Sequence, residues 1–170
     1  MKKFNSLLAR FMLVLLALHG LMTTFNWKPL SYTLLAIVLL HGILGILLSK
    51  DAVREGMRIG RWYLKENASF WLIRLSGFVI LLSVWFHITA YTTTVNGVFF
   101  LREFTTLRFF SQIIFISAIL IHLLCATKPW MIKRGLLKYE ERTADYILVY
   151  SIFSVLFLFA LISYFIYWNF

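Results

Sequence analysis

Five long apolar runs, at about 7–25, 30–48, 69–92, 109–127 and 146–168, alternate with short segments that hold most of the charge. A helix needs roughly 17 to 25 mainly apolar residues to cross a hydrocarbon core of about 30 Å. Each run meets that length, so the pattern predicts an all-α membrane protein of five transmembrane helices, with residues 1–170 forming a single transmembrane domain. Asn26, Trp27, Lys28 and Pro29 read as a tight turn, with Pro29 placed to begin the second helix, so the first two helices form an antiparallel hairpin. The segment at about 49–68 has a different pattern. Val53, Met57 and Leu64 fall near one helical face and Arg54, Arg58, Arg61 and Lys65 form a stripe beside it. It reads as a basic amphipathic helix on the membrane surface, in contact with anionic lipid or with a cytoplasmic partner. Between the third and fourth runs, Asn96-Gly97 signals a turn. Aromatic residues such as Trp27, Trp62, Trp71, Trp130, Tyr167 and Trp168 cluster near the predicted helix ends, as interfacial anchors do.

Composition removes the alternatives to a membrane location. The chain is 61% hydrophobic, 18% aromatic and 14% charged, outside the range of soluble domains. A net charge of +10 would point to nucleic acid in a soluble protein. Here the basic residues sort by side instead. The segments before the first run, between the second and third, and between the fourth and fifth hold nearly all of them, whereas Lys28, Arg102 and Arg108 fall opposite. The positive-inside rule makes the richer side cytoplasmic, so the N-terminus is expected in the cytoplasm and the C-terminus outside, in the cell membrane, with lipid and not nucleic acid as the polyanionic surface. Met1-Lys2-Lys3 before an apolar run resembles a secretory signal, but no small-x-small site follows and His19 interrupts the run. Cys125 is the only cysteine, so this chain alone builds neither a disulfide nor a thiolate-ligated iron–sulfur cluster.

Every histidine lies inside a predicted span: His19 in the first, His41 in the second, His87 in the third and His122 in the fourth. An ionisable side chain in hydrocarbon is costly, so each is a functional candidate, although one alone is as well explained by a hydrogen bond between helices. Depth groups them. At a rise of ~1.5 Å per residue from the cytoplasmic ends, His41 lies roughly 12 Å and His122 roughly 9 Å in, His19 roughly 18 Å and His87 roughly 25 Å in. An inner pair, His41 with His122, and an outer pair, His19 with His87, would each supply two axial imidazoles to a b-type haem in the core of a four-helix bundle. Two pairs imply two haems. Gly45, four positions after His41, and Gly20, beside His19, remove bulk where a porphyrin would approach. Ser83, four before His87, is a candidate to orient that imidazole. Arg74 is placed to pair with the propionates of the inner haem or to snorkel to the headgroups.

The run Phe70-Trp71-Leu72-Ile73-Arg74-Leu75-Ser76-Gly77, with His87 ten residues after the glycine, resembles the cytochrome b membrane subunit of succinate dehydrogenases and fumarate reductases in its di-haem, single-polypeptide branch. His41 followed by Gly45 resembles that branch's second-helix pattern. The resemblance implies five helices, the first four forming a haem-binding bundle with ligands paired first to third and second to fourth, Arg74, Ser76 and Gly77 near haem, and quinone, menaquinone by expectation, as the membrane substrate. It further implies a flavoprotein subunit and an iron–sulfur subunit on the cytoplasmic side, with the dicarboxylate site on the flavoprotein and not on this chain. Two departures stand out. Ala126 occupies the position four after His122 where glycine is common, and the chain is compact, with very short first and third connections. No motif transfers an outer quinol-site acid, leaving Glu103 as a positional candidate. Fold and ligands do not identify the partner. A di-haem anchor of another dehydrogenase or reductase, or a haem-free scaffold or transporter with structural histidines, shares these features.

Overall fold

The computed structural model describes residues 1–21, 28–60, 62, 64–65, 67–91, 93–95, 98–100, 102–135 and 143–169. In chain order these form α1 (Lys2–Leu21), α2 (Lys28–Ile59), α3 (Ala68–Thr89), β1 (Thr93–Val95), β2 (Val98–Phe100), α4 (Thr106–Lys133) and α5 (Thr143–Asn169). Among the described residues, five helices are long and apolar enough to cross a membrane, which makes this a multi-pass membrane protein. Residues 22–27, with Asn26 and Trp27 of the expected turn, and residues 136–142 lie outside the described residues, as do Asn96 and Gly97.

The chain divides into two units, Met1–Tyr63 with Thr92–Phe100, and Leu64–Tyr91 with Leu101–Phe170. In the first, α1 and α2 pack along each other around Leu15, Leu30 and Leu34, flanked by Met12, Leu16, Ile37 and Val38. The expected surface segment does not begin a new element at Ser49. Instead α2 runs unbroken for 32 residues to Ile59, about 48 Å at 1.5 Å per residue. No proline lies between Ser49 and Ile59, and Gly56 alone does not interrupt the helix, so the basic stripe at Arg54 and Arg58 rides on an extension of the second span. Gly60, with a φ of 68°, ends it in the left-handed conformation that glycine adopts at low cost. Just beyond, the Trp62 ring folds over buried Gly56, where an added Cβ would come within 2.9 Å of the indole. The Arg58–Glu55 ion pair on this extension, 2.6 Å long, is exposed and contributes little to stability.

In the second unit α4 packs against both α3 and α5. Thr105 caps the start of α4, its hydroxyl accepting from the Arg108 amide at 3.2 Å. The helix then passes through Pro129 to Lys133, beyond the expected end at 127. Proline removes one backbone donor, a loss that membrane helices accommodate more readily than soluble ones. Gly135, also at a φ of 68°, follows its end. Between α3 and α4, β1 and β2 pair antiparallel with Thr93 opposite Phe100 and Val95 opposite Val98. The Arg102 amide donates to the Ala90 carbonyl at 2.9 Å and closes the base of this excursion within the second unit. Along α5, side chains such as Leu148, Val155, Phe159 and Ile162 are exposed, a surface suited to lipid and not to water.

Candidate functional site

The α3–α4 hairpin holds two of the four histidines, and each is fixed through its Nδ1. His87, in the last turn of α3, has Nδ1 3.0 Å from Gln112 Oε1 and 3.1 Å from the Tyr164 hydroxyl. Its ring stacks on Phe115 with centroids 4.8 Å apart and meets Tyr91 edge-on at 5.4 Å. Gln112 is fully buried, and its amide nitrogen donates to the Phe86 carbonyl at 3.4 Å and to Ser111 Oγ at 3.1 Å. A carbonyl only accepts, so the Phe86 contact requires the amide nitrogen there and turns Oε1 toward the imidazole. Nδ1 of His87 then carries the proton, and Nε2 carries the lone pair. The Tyr164 oxygen shares the same proton and is itself hydrogen-bonded to Tyr91.

His122 reaches the same protonation state by a different route. Its Nδ1 lies 3.0 Å from the Ile73 carbonyl and 3.2 Å from Ser76 Oγ. Ser76 donates its proton to the Leu72 carbonyl at 2.6 Å, and the Ile73 oxygen accepts from the imidazole. Gly77 makes room: a Cβ there would stand 3.4 Å from His122 Cε1. Gly77→Ala is therefore expected to leave thermal stability in detergent unchanged, whereas the longer side chain of Gly77→Leu displaces the imidazole and lowers stability by about 1–3 kcal/mol, the usual cost of overpacking.

Ser83, expected to orient His87, instead donates to the Val79 carbonyl at 2.6 Å. A serine inside a helix commonly bonds back to the carbonyl four residues earlier, and here that leaves the orienting role to Gln112 and Tyr164. Arg74 donates from one terminal nitrogen to the Phe70 carbonyl at 2.9 Å and lies over the Phe70 ring, 3.2 Å from its centroid. Its Nε is buried without a hydrogen-bond partner among the described residues. Glu103 is exposed, and its main-chain carbonyl accepts from Arg108.

In the first unit, His19 Nδ1 lies 3.4 Å from Ser31 Oγ across the α1–α2 hairpin, and the His41 ring meets the main chain of Asn5 through Nε2, the nitrogen opposite to the one His122 uses. Added Cβ atoms at Gly20 or Gly45 would meet nothing within 4 Å, so both glycines border open space.

Set side by side, the two hairpins share one register. On the first helix of each, the main-chain contact of one histidine precedes the other histidine by fourteen positions, Asn5 to His19 and Ile73 to His87. On the second helix of each, the polar side-chain contact precedes the remaining histidine by ten positions, Ser31 to His41 and Gln112 to His122. At 1.5 Å per residue those intervals separate two histidine layers by roughly 15–21 Å within each hairpin. Sequence reading found the four histidines and the Ser76–Gly77 pair, but not Ser31, Gln112 or Tyr164. A carboxamide within an apolar run was the one available signal for Gln112, and its partner 25 positions away in sequence was invisible.

Among the described residues no three or more His, Cys, Asp or Glu side chains gather as a metal-binding group. Fold and site thus define a helical multi-pass membrane protein in which two hairpins each hold two histidines at separate levels. The chain matches no protein-family model, no curated protein and no solved structure.

Proposed function

We propose that this chain is a di-haem cytochrome b that anchors a succinate dehydrogenase or fumarate reductase complex and carries electrons between a cytoplasmic iron–sulfur subunit and membrane quinone, by expectation menaquinone. The observation that carries the reading is the two-level arrangement of histidines. The tautomer reached by both His87 and His122 puts the lone pair on Nε2, the nitrogen an axial ligand offers to iron. His19 with His87, and His41 with His122, are the proposed ligand pairs, taken from depth along the spans and from the resemblance of the third-span motif.

The residues present fit the cofactor in two further respects. Gly20 and Gly45 border open space beside His19 and His41, and the buried Nε of Arg74 offers a charged donor of the kind a propionate accepts from. When bound, haem supplies reversible one-electron chemistry at its iron. The chain's own part is to hold the His87 and His122 imidazoles in one tautomer, to set apolar and aromatic side chains such as Phe115 beside His87, and to place one cation near the start of α3. The basic extension of α2 offers a charged surface for the soluble subunits.

An oxidised-minus-reduced optical spectrum of the purified protein tests the first half, with b-type bands from two haems expected. Their absence from gently isolated protein would leave the haem-free scaffold or transporter as the better reading. Co-purification tests the second half. A flavoprotein and an iron–sulfur protein are the expected companions, and different companions would assign the cytochrome to another dehydrogenase or reductase.

A further inference from the structure

The two levels of the α3–α4 hairpin differ in what takes the imidazole proton. At His122 the acceptor is a main-chain carbonyl, which no substitution at Ile73 removes. At His87 it is a side chain, the carboxamide of Gln112. Burying a whole carboxamide inside a membrane helix bundle is costly unless each of its polar atoms is matched. Gln112 is matched: its nitrogen serves Phe86 and Ser111, and its oxygen serves only the imidazole among the hydrogen bonds described. Tyr164, from α5, adds a weaker second acceptor at the same Nδ1.

We propose that Gln112 is a positioning residue that fixes which nitrogen His87 presents to iron and how strongly that nitrogen donates, and so sets the reduction potential of one haem independently of the other. This rests on the di-haem reading above. A neutral carboxamide is a moderate acceptor. A carboxylate in its place draws the Nδ1 proton more strongly, makes the imidazole a better electron donor and favours the oxidised iron. An apolar side chain releases the proton and has the opposite effect. Ser31 stands in the same register opposite His19, at the longer distance of 3.4 Å, so the side-chain control is stronger on the His87 side.

The test is a potentiometric titration of the b-type bands in the intact complex, comparing wild type with Gln112→Glu, Gln112→Leu and Tyr164→Phe. Gln112→Glu is expected to lower one of the two midpoints and Gln112→Leu to raise the same one. Each shift should be about a tenfold change in the ratio of oxidised to reduced haem at the wild-type midpoint, or about 59 mV for a one-electron couple. Tyr164→Phe is expected to move that midpoint in the direction of Gln112→Leu by less, and the second midpoint should stay fixed throughout. Movement of both midpoints together, or of neither, overturns the proposal. If Gln112→Leu fails to assemble, Gln112→Glu keeps the shape and the acceptor, and an unmoved midpoint in that variant overturns the proposal alone. Wild-type protein without b-type haem overturns the di-haem reading and this proposal with it.

Discussion

On the proposed di-haem reading, the variant His122→Ala is expected to lose about half of the b-type absorbance of the purified protein, with the remaining haem keeping its wild-type midpoint. The imidazole is fixed by the Ile73 carbonyl at one level of the hairpin, whereas His87 is held by Gln112 at the other. Deleting one axial ligand removes a bond that no neighbouring side chain replaces. His41→Ala should give the same spectrum, because the proposed partner is lost in either case. The pairing then becomes measurable by combination. The double variant His41→Ala/His122→Ala should resemble each single variant, whereas His87→Ala/His122→Ala should retain no haem. Such non-additivity is the signature of residues acting on one site. Circular dichroism of the same samples supplies the control, and loss of both haems from His122→Ala with helix content intact would count against two independent levels.

Arg74→Leu is expected to produce two effects of opposite sign. The guanidinium is partly buried in α3 with Nε unpartnered, its charge offset by the Phe70 carbonyl and ring. A buried, incompletely satisfied cation destabilises its surroundings, so an apolar residue of similar volume should raise the thermal stability of haem-free protein or leave it unchanged. If haem is bound as proposed, the same change would remove a charge-assisted hydrogen bond to a propionate, worth about 1.5–3 kcal/mol. Retention of one haem should therefore weaken by roughly tenfold to a hundredfold, by the relation of about 1.4 kcal/mol per factor of ten. Competition against an apo-haem acceptor protein measures that loss. A purely snorkelling arginine predicts neither effect on retention nor a difference between the two forms.

Helix number and helix cores were legible because hydropathy over some twenty residues is a property of the segment itself. Helix ends were not. At α2 the apolar signal stops near Leu48, but the hydrogen-bonding ladder continues to Ile59 since charged residues such as Arg54, Glu55 and Arg58 are good helix formers and the first breaker in a tolerant position is Gly60. At α4 the sequence rule that proline ends a helix was overridden within the last turn and a half. The histidines were legible because they are ionisable groups in apolar runs. Their hydrogen-bond partners required the fold, since Gln112 and Tyr164 meet His87 from two other helices, across separations of 25 and 77 positions. The Ser83 hydroxyl donates to the Val79 carbonyl within its own helix, a bond that the four-residue spacing to His87 did not reveal.

The shared register of the two hairpins sets which lengths of this chain are free to change. One residue inserted between Ser31 and His41, or between Ile73 and His87, would turn everything beyond it by about 100° around the helix and advance it by ~1.5 Å, taking a histidine off its face. The same insertion in the connection between α3 and α4 would alter no interval that relates a histidine to its contact. Relatives of this protein are therefore expected to differ freely in the lengths of their connections while holding the fourteen- and ten-residue spacings fixed, and those spacings offer a search pattern.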